Sequence, residues 1–488
     1  MLKKSGTNRR TFLATTSIAC AGIFSKRALG AFNAVTAGPG PIQITLDSAR
    51  RMGTIPSAFT GLGFEISSVA TADLLAATNH TYVQFVRNLG KNGVIRIGGN
   101  TSDYSSFEFS GKLLSTPKGT IVNDASLRQL GSFLDATGWK LIWGLNLGSA
   151  TEQNAVEEAR AVVRFAKDKL LAFEIGNEPD LFAHEGHRPH GYSYENYLAD
   201  YRRYKSAIRS ALPGVSFAGP DVAVTTDWAV RFAKDEGNDL KLLTHHYYRG
   251  GAGNPASTLD LLLQSDPKLA PDLAKMKQAA DKAHIPFRIC ETNSFSGGGK
   301  PGVSNTLGSA LWMLDYMWTV ADNGGGGVNM ETGVNQLDFI SSYSPISDDG
   351  HGVYSAAPDY YGMLAFAQGG HGERLALDYD SGLINMKVYA AAQSQDHLTV
   401  TIINKDASRD TEIKLNLKQH FTHASAMRLT GPSLQSRSGV TFAGTTVAAN
   451  GTWRAAKIES VPLRGNAGRI HIPAGSAAVL TFQVNPKG

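Results

Sequence analysis

Eight times between Phe59 and about Gly370, a short apolar run, a polar loop and a helical stretch follow one another. No other feature narrows the possible folds of this chain as far. The apolar runs are Thr60–Glu65, Val94–Gly98, Lys140–Asn146, Ala172–Gly176, Ser216–Gly219, Leu242–Tyr247, Pro286–Glu291 and Gly327–Met330. Amphipathic helices are expected over Glu152–Lys169, Tyr194–Ala211, Trp228–Glu236, Asp272–Ala283 and Thr306–Asp322. Strands that alternate with helices pair in parallel, because the helix carries the chain back across the sheet. Eight repeats over about 300 residues suit an α/β fold of the (β/α)8 barrel type better than an open doubly wound sheet. No GxGxxG follows the first strand, which argues against a dinucleotide fold.

Past Gly370 the pattern changes to short alternating segments divided by turn residues. Examples are Ile384–Tyr389, Leu398–Ile403, Val440–Phe442 and Ala478–Phe482. This period of two predicts an all-β sandwich. Ile42–Leu46 alternates in the same way, precedes the barrel and needs a sheet to pair with, so it is expected to join the sandwich. The expected organisation is residues 1–31 as an export signal, 32–58 as a linker and strand, 59–370 as the barrel and 371–488 as the sandwich.

The first 31 residues read as a targeting segment. Arg9-Arg10-Thr11-Phe12-Leu13 follows a basic start and precedes an apolar stretch to Phe24, then small residues around Ala28–Ala31, the pattern of a twin-arginine signal. The expectation is export to the periplasm or the exterior. Six of the 47 Lys+Arg lie in this segment, leaving 41 basic against 42 acidic residues, so the basic pI of about 8.9 belongs mostly to the signal. Nothing in the remainder points to nucleic acid as a partner, and no later apolar run is long enough for a membrane span. Only Cys290 remains after processing, so no intramolecular disulfide is expected.

Active sites of such barrels form where strands end at their C-terminal edge. Glu174-Ile175-Gly176-Asn177-Glu178-Pro179-Asp180 ends the fourth strand, and Cys290-Glu291-Thr292-Asn293 the seventh. Two carboxyl groups facing across a pocket are what glycosidic cleavage requires, one protonated for the leaving oxygen and one ionised. A separation of about 5–5.5 Å gives retention and about 6.5–9.5 Å gives inversion. These two strand ends resemble the large clan of retaining (β/α)8 glycosidases. The string Glu174–Asp180, His245-His246-Tyr247-Tyr248, Glu291-Thr292 followed by Gly297-Gly298-Gly299, and Pro358-Asp359-Tyr360 are similar to glycoside hydrolase family 79, which contains β-glucuronidases and heparanase.

The resemblance implies Glu178 as acid/base and Glu291 as nucleophile, with no cofactor or metal and a glucuronide or glucuronate-containing glycan as substrate. It implies that Asn177 bonds the sugar 2-hydroxyl, that Arg96 and Tyr247 stand near Glu291, and that Glu65 and Asp103 hold sugar hydroxyls. Tyr343 and the glycines Gly297 and Gly298 would lie near the C6 group. Where heparanase-like relatives have a tyrosine five residues past the nucleophile, this chain has Ser296, and Glu331 follows strand eight within reach of the pocket.

Simpler readings stand beside these. Glu174 is expected in a buried ion pair, and Cys290 as an inert thiol that alternates away from Glu291. His245 is balanced between a sugar ligand and a satisfied strand-end histidine. His184, His187 and His190 are expected in a solvated loop rather than a metal site. Trp143, Tyr248 and Tyr354 serve barrel packing or sugar stacking, and Asn146 and Asp221 read as loop caps. Two rival functions remain open: a same-clan β-glycosidase for neutral sugars such as β-xylosides or β-glucosides, and a non-catalytic carbohydrate-binding protein.

Overall fold

The computed structural model describes residues 40–108, 114–116, 119–333 and 341–484; the signal-like segment lies outside them. Eight parallel strands close into a barrel. In order around it they are Gly61–Glu65, Val94–Gly98, Lys140–Leu145, Leu170–Ile175, Phe217–Val222, Leu240–Tyr248, Phe287–Asn293 and Val328–Glu331, and the last pairs with the first through Met330 with Leu62 and Glu331 with Gly63. Each expected strand is present. The fifth begins at Phe217 and runs on to Val222, and the seventh continues to Asn293.

The interior of the barrel is filled in layers. At the N-terminal end Arg288 donates to Asn329 Oδ1 at 2.6 Å and to the carbonyls of Val328 at 2.8 Å and Ala58 at 3.0 Å. Above it Val94, Ile142, Ala172, Ala218, Leu242 and Cys290 form a small apolar cluster. The next layer is polar and carries the site. Surrounding helices lie where periodicity placed them, including Glu152–Ala166, Tyr194–Ala211 and Leu307–Asp322. The last is mostly apolar and almost wholly buried, as suits a helix that lies between the barrel and a second layer.

That layer is one eleven-stranded sheet rather than two separate ones. It folds over so that strands such as Ile42–Ile55, Thr411–Leu417 and Ala467–Ile472 share a core with Met386–Ala392, His397–Asn404 and Ser476–Gln483. The N-terminal strand does join it. It pairs antiparallel with Gly372–Tyr379 and parallel with Thr411–Leu417, burying Ile42, Ile44 and Leu46. The sheet is tied to the barrel helices by polar as well as apolar contacts. Asp315 accepts from Lys405 Nζ at 2.5 Å and from the Tyr389 phenol at 2.6 Å, and Trp318 stacks on Tyr389 at 5.3 Å between ring centroids.

Candidate active site

Glu178 leaves the fourth strand on a left-handed residue, with φ 52° and ψ 49°. A non-glycine residue there costs about 1–3 kcal/mol and persists only where its surroundings over-determine it. Here they do. The Glu178 N–H donates to the Asp221 carbonyl at 2.9 Å. Asp180, two residues on, accepts from the N–H groups of Ala223, Val224 and Thr225 at 2.9, 2.9 and 3.2 Å. The loops after the fourth and fifth strands are thus stitched together, and the Glu178 side chain is turned over the barrel mouth.

Across the mouth stands Glu291. One carboxyl oxygen each of Glu178 and Glu291 and a ring nitrogen of His246 all lie within 4.8 Å of one another. Glu291 is held by two donors: Arg96 Nη1 reaches its Oε2 at 2.8 Å, and the Tyr248 phenol donates to its Oε1 at 2.8 Å. Arg96 is completely buried and spends its remaining N–H groups on Glu174 at 3.2 Å, Asn177 Oδ1 at 2.8 Å and Asp221. Glu174 is therefore the buried ion-pair partner expected of it.

His246 bridges the acid to the barrel interior, through Nδ1 to Glu178 Oε1 at 2.8 Å and Nε2 to Asp221 Oδ1 at 2.7 Å. Burial alone would lower its pKa. The charges of Asp221 and Glu291, and the bonds to Asp221 and Glu178, override burial and hold the imidazolium well above the ordinary histidine range. Asp221 shows the mirror effect: burial opposes its charge, but Arg96 and His246 bring its carboxyl down to about 2. Glu178 is pushed above the usual carboxyl range, first by burial and further by the charge of Glu291, against the pull of His246. That is the direction a general acid needs.

Glu178, Glu291 and His246 offer three ligand atoms in one place, but both ring nitrogens of His246 are committed to carboxylates, and Glu291 already pairs with Arg96. Such an arrangement can support proton transfer and nucleophilic attack.

Above them opens a cavity of about 740 Å³. Its lining includes Glu65, Glu178, His245, Tyr248, Glu291, Ser296, Gly297, Gly298, Glu331 and Tyr343. Glu65 accepts from the Thr101 N–H at 2.7 Å and hydroxyl at 2.6 Å; burial, then the charge of Glu291, pushes its carboxyl up to about 7. His245 bonds through Nδ1 to the His246 carbonyl, so that nitrogen carries the proton; Nε2, buried without a partner, is left as an acceptor. Gly297, Gly298 and Gly299 are all left-handed, with φ of 76°, 80° and 80°, and a Cβ on Gly299 would lie 2.8 Å from the Tyr343 nitrogen. The run lets the chain pass close beneath Tyr343, which stacks on Tyr248 at 6.2 Å.

Several expectations are corrected. Tyr247 lines the cavity, as expected, but its phenol donates to Asp266 at 3.0 Å, and it is Tyr248 that bonds Glu291. The cause is a register shift between His245 and His246, where the pairing partner jumps from Ile289 to Glu291. The same irregularity puts Cys290 and Glu291 both inward, so Cys290 does not alternate away; its thiol lies within 4.8 Å of Glu174 and Asp221, and burial keeps it protonated. Asp103 is not on the cavity. It accepts from the N–H groups of Leu147, Gly148 and Asn177 at 3.0, 2.8 and 2.9 Å, bracing two loops. Asn177 also does not line the cavity; its amide donates to Asn100 Oδ1 at 3.1 Å while its oxygen serves Arg96. Asp221 is an electrostatic partner rather than a loop cap, whereas Asn146 is a cap, accepting from the N–H groups of Ser149 and Ala150.

Trp143 and Tyr354 are packing residues, the first bonded to Glu158 and the second edge-on to Tyr82. His187 packs against Tyr104 and Phe182. His246 was not assigned a role from the sequence; its only signal there was membership in the His245–Tyr248 string.

Comparison with known proteins finds glycosidases. Residues 381–479 match the model described as the glycosyl hydrolase family 79 C-terminal beta domain. A Neurospora crassa protein named beta-glucuronidase is 28% identical over 392 residues, 70% of this chain and 69% of its own. Mouse heparanase is 25% identical over 268 residues, and this chain spans about half of it, 47%. Among solved structures, a 4-O-alpha-L-rhamnosyl-beta-D-glucuronidase from Fusarium oxysporum superposes with a TM-score of 0.72 at 19% identity, over 90% of this chain and 100% of its own.

Proposed function

We propose that this chain, which belongs to glycoside hydrolase family 79, is a retaining β-glycosidase acting on β-linked glucuronides. The observation that carries the reading is the approach of the Glu178 and Glu291 carboxyl groups to within 4.8 Å, the spacing of double displacement rather than of a water-filled inverting site. Glu291, paired with Arg96 and oriented by Tyr248, attacks the anomeric carbon. Glu178 gives its proton to the leaving oxygen. A glycosyl–Glu291 ester forms, and Glu178, now a base, takes a proton from the water that hydrolyses it. His246 and Asp221 position Glu178 for both steps.

The glucuronide reading is supported by the names of the Neurospora and Fusarium relatives and by the donors gathered on one wall of the cavity: the Tyr343 phenol and the backbone of Gly297 and Gly298. On this reading the C6 carboxylate lies against them, Glu65 takes ring hydroxyls, and His245 accepts a hydroxyl proton through Nε2. Export through a twin-arginine route is part of the same proposal, supported by Arg9-Arg10 and the apolar stretch behind them. No helix of the described residues is long and apolar enough to cross a membrane.

Turnover of paired aryl β-glucuronide and aryl β-glucoside tests the reading. The glucuronide is expected to be cleaved faster than the glucoside under the same conditions. Faster cleavage of the glucoside would transfer the assignment to a neutral sugar. Binding without hydrolysis of either, unchanged in Glu291→Ala, would make the chain a carbohydrate-binding protein.

A further inference from the structure

A uronate carries a full negative charge into a cavity already lined by Glu65, Glu178, Asp266, Asp272, Glu291 and Glu331, with Lys268 as its one Lys or Arg side chain among the described residues. The buried cations nearest the sugar position are spent. Arg96 serves Glu174, Asp221, Glu291 and Asn177, and His246 serves Glu178 and Asp221. Neither buried cation is free for the C6 carboxylate, which leaves Lys268 and the neutral hydrogen-bond donors of the lining.

Glu331, the last residue of the eighth strand, stands on this wall and is 3% exposed. Its Oε2 is turned into the barrel against Gly63, where a Cβ would sit 2.6 Å away, and is buried with no hydrogen-bond partner among the described residues. A carboxylate divides its charge between both oxygens, and a dry, unbonded oxygen is a poor place for half of it. The acid form has no such difficulty: a carbonyl faces Gly63 and the O–H is free to turn into the cavity.

We propose that Glu331 is a specificity-determining residue for the uronate, its carboxyl O–H donating to the C6 carboxylate of the bound sugar. The inference rests on the glucuronide reading above and names the group that makes it selective. An O–H donor to a carboxylate is among the short, strong hydrogen bonds, and the same side chain once ionised repels the ligand it had bound.

The groups that face Glu331 agree with this. Glu65 from the first strand and Glu291 from the seventh oppose its charge, while Arg96 from the second and His246 from the sixth favour it at longer range. The phenols of Tyr248, Tyr343 and, from helix His80–Asn88, Tyr82 complete the surroundings, each feeling a Glu331 charge as unfavourable. Burial is the largest influence and pushes the carboxyl well above the ordinary range.

The test is KM against pH for the aryl β-glucuronide and aryl β-glucoside pair, on the wild-type protein and on Glu331→Gln. For the wild type, KM for the glucuronide is expected to rise about tenfold or more with increasing pH as the donor is lost, while KM for the glucoside lacks that rise. The glutamine amide cannot titrate, so in Glu331→Gln the rise for the glucuronide disappears, and the change falls in KM rather than kcat. Parallel wild-type profiles for the two substrates, or a rise that survives in Glu331→Gln, would overturn the role of Glu331. The wild-type pair decides the matter even if the variant does not fold. Faster turnover of the glucoside at low pH would instead sink the uronide reading, a distinct result.

Discussion

Tyr247 and Tyr248 are adjacent in sequence, yet one bonds Asp266 and the other Glu291. A phenol donating to a charged carboxylate contributes about 1.5–3 kcal/mol. Tyr248→Phe is accordingly expected to lower kcat by about 10- to 100-fold, and Tyr247→Phe by clearly less; steady-state kinetics on the two variants decides between them. The family resemblance named Tyr247, and nothing in the residues themselves announces that Cys290 is an extra residue between Ile289 and Glu291, opposite the His245–His246 step. The same slip misdirected Cys290. Glu178 and Glu291 were legible because each ends an apolar strand in a string with few other uses. His246 and Asp221 were not, because their roles depend on the fourth, fifth and sixth strands being brought side by side, a fact of closure rather than of local pattern. Asp103 misled for a related reason: a carboxylate near a sugar pocket and one bracing backbone N–H groups look alike until the loops after the third and fourth strands are in place.

At the scale of the elements, the eight strands and the main helices stood out because two periods, two and 3.6, alternate without interruption. Burial inside that framework carries a cost that can be measured. Helix Glu152–Ala166 packs on the third barrel strand through Glu158, which accepts from Trp143 Nε1 at 2.8 Å while its second oxygen is buried and unpaired. Burial pushes this carboxyl up to about 7, against the pull of the Trp143 bond. A folded-state pKa above the unfolded one means that stability is full below about pH 4.3, falls as pH rises, and levels off once pH has passed about 7. Glu158→Gln removes the titration. Urea unfolding is expected to show the variant more stable than the wild type by about 1–3 kcal/mol near pH 8, with the advantage gone near pH 4. An advantage of the same size at both pH values would mean that the carboxyl does not titrate in this range.

For the whole molecule, the β-layer and the barrel are joined across an almost wholly buried helix, with Lys405, Tyr389 and Asp315 as the polar tie. The chain enters through Ile42–Ile55 in the middle of the folded sheet, so the barrel is inserted between sheet strands rather than hung from a linker. Alternation predicted the sheet but not its continuity, since whether two layers share hydrogen bonds is settled only when strands distant in sequence meet. This frame holds the fourth and seventh strand ends across one sugar-sized gap, and the account turns on what happens there. The most direct measurement is to inactivate the protein with an activated 2-deoxy-2-fluoro-β-glucuronide, which forms the glycosyl ester but hydrolyses slowly, and to map the modified peptide by mass spectrometry. The label is expected on Glu291. A label on any other residue, or substrate turnover with inversion at the anomeric carbon and no trapped adduct, would contradict it.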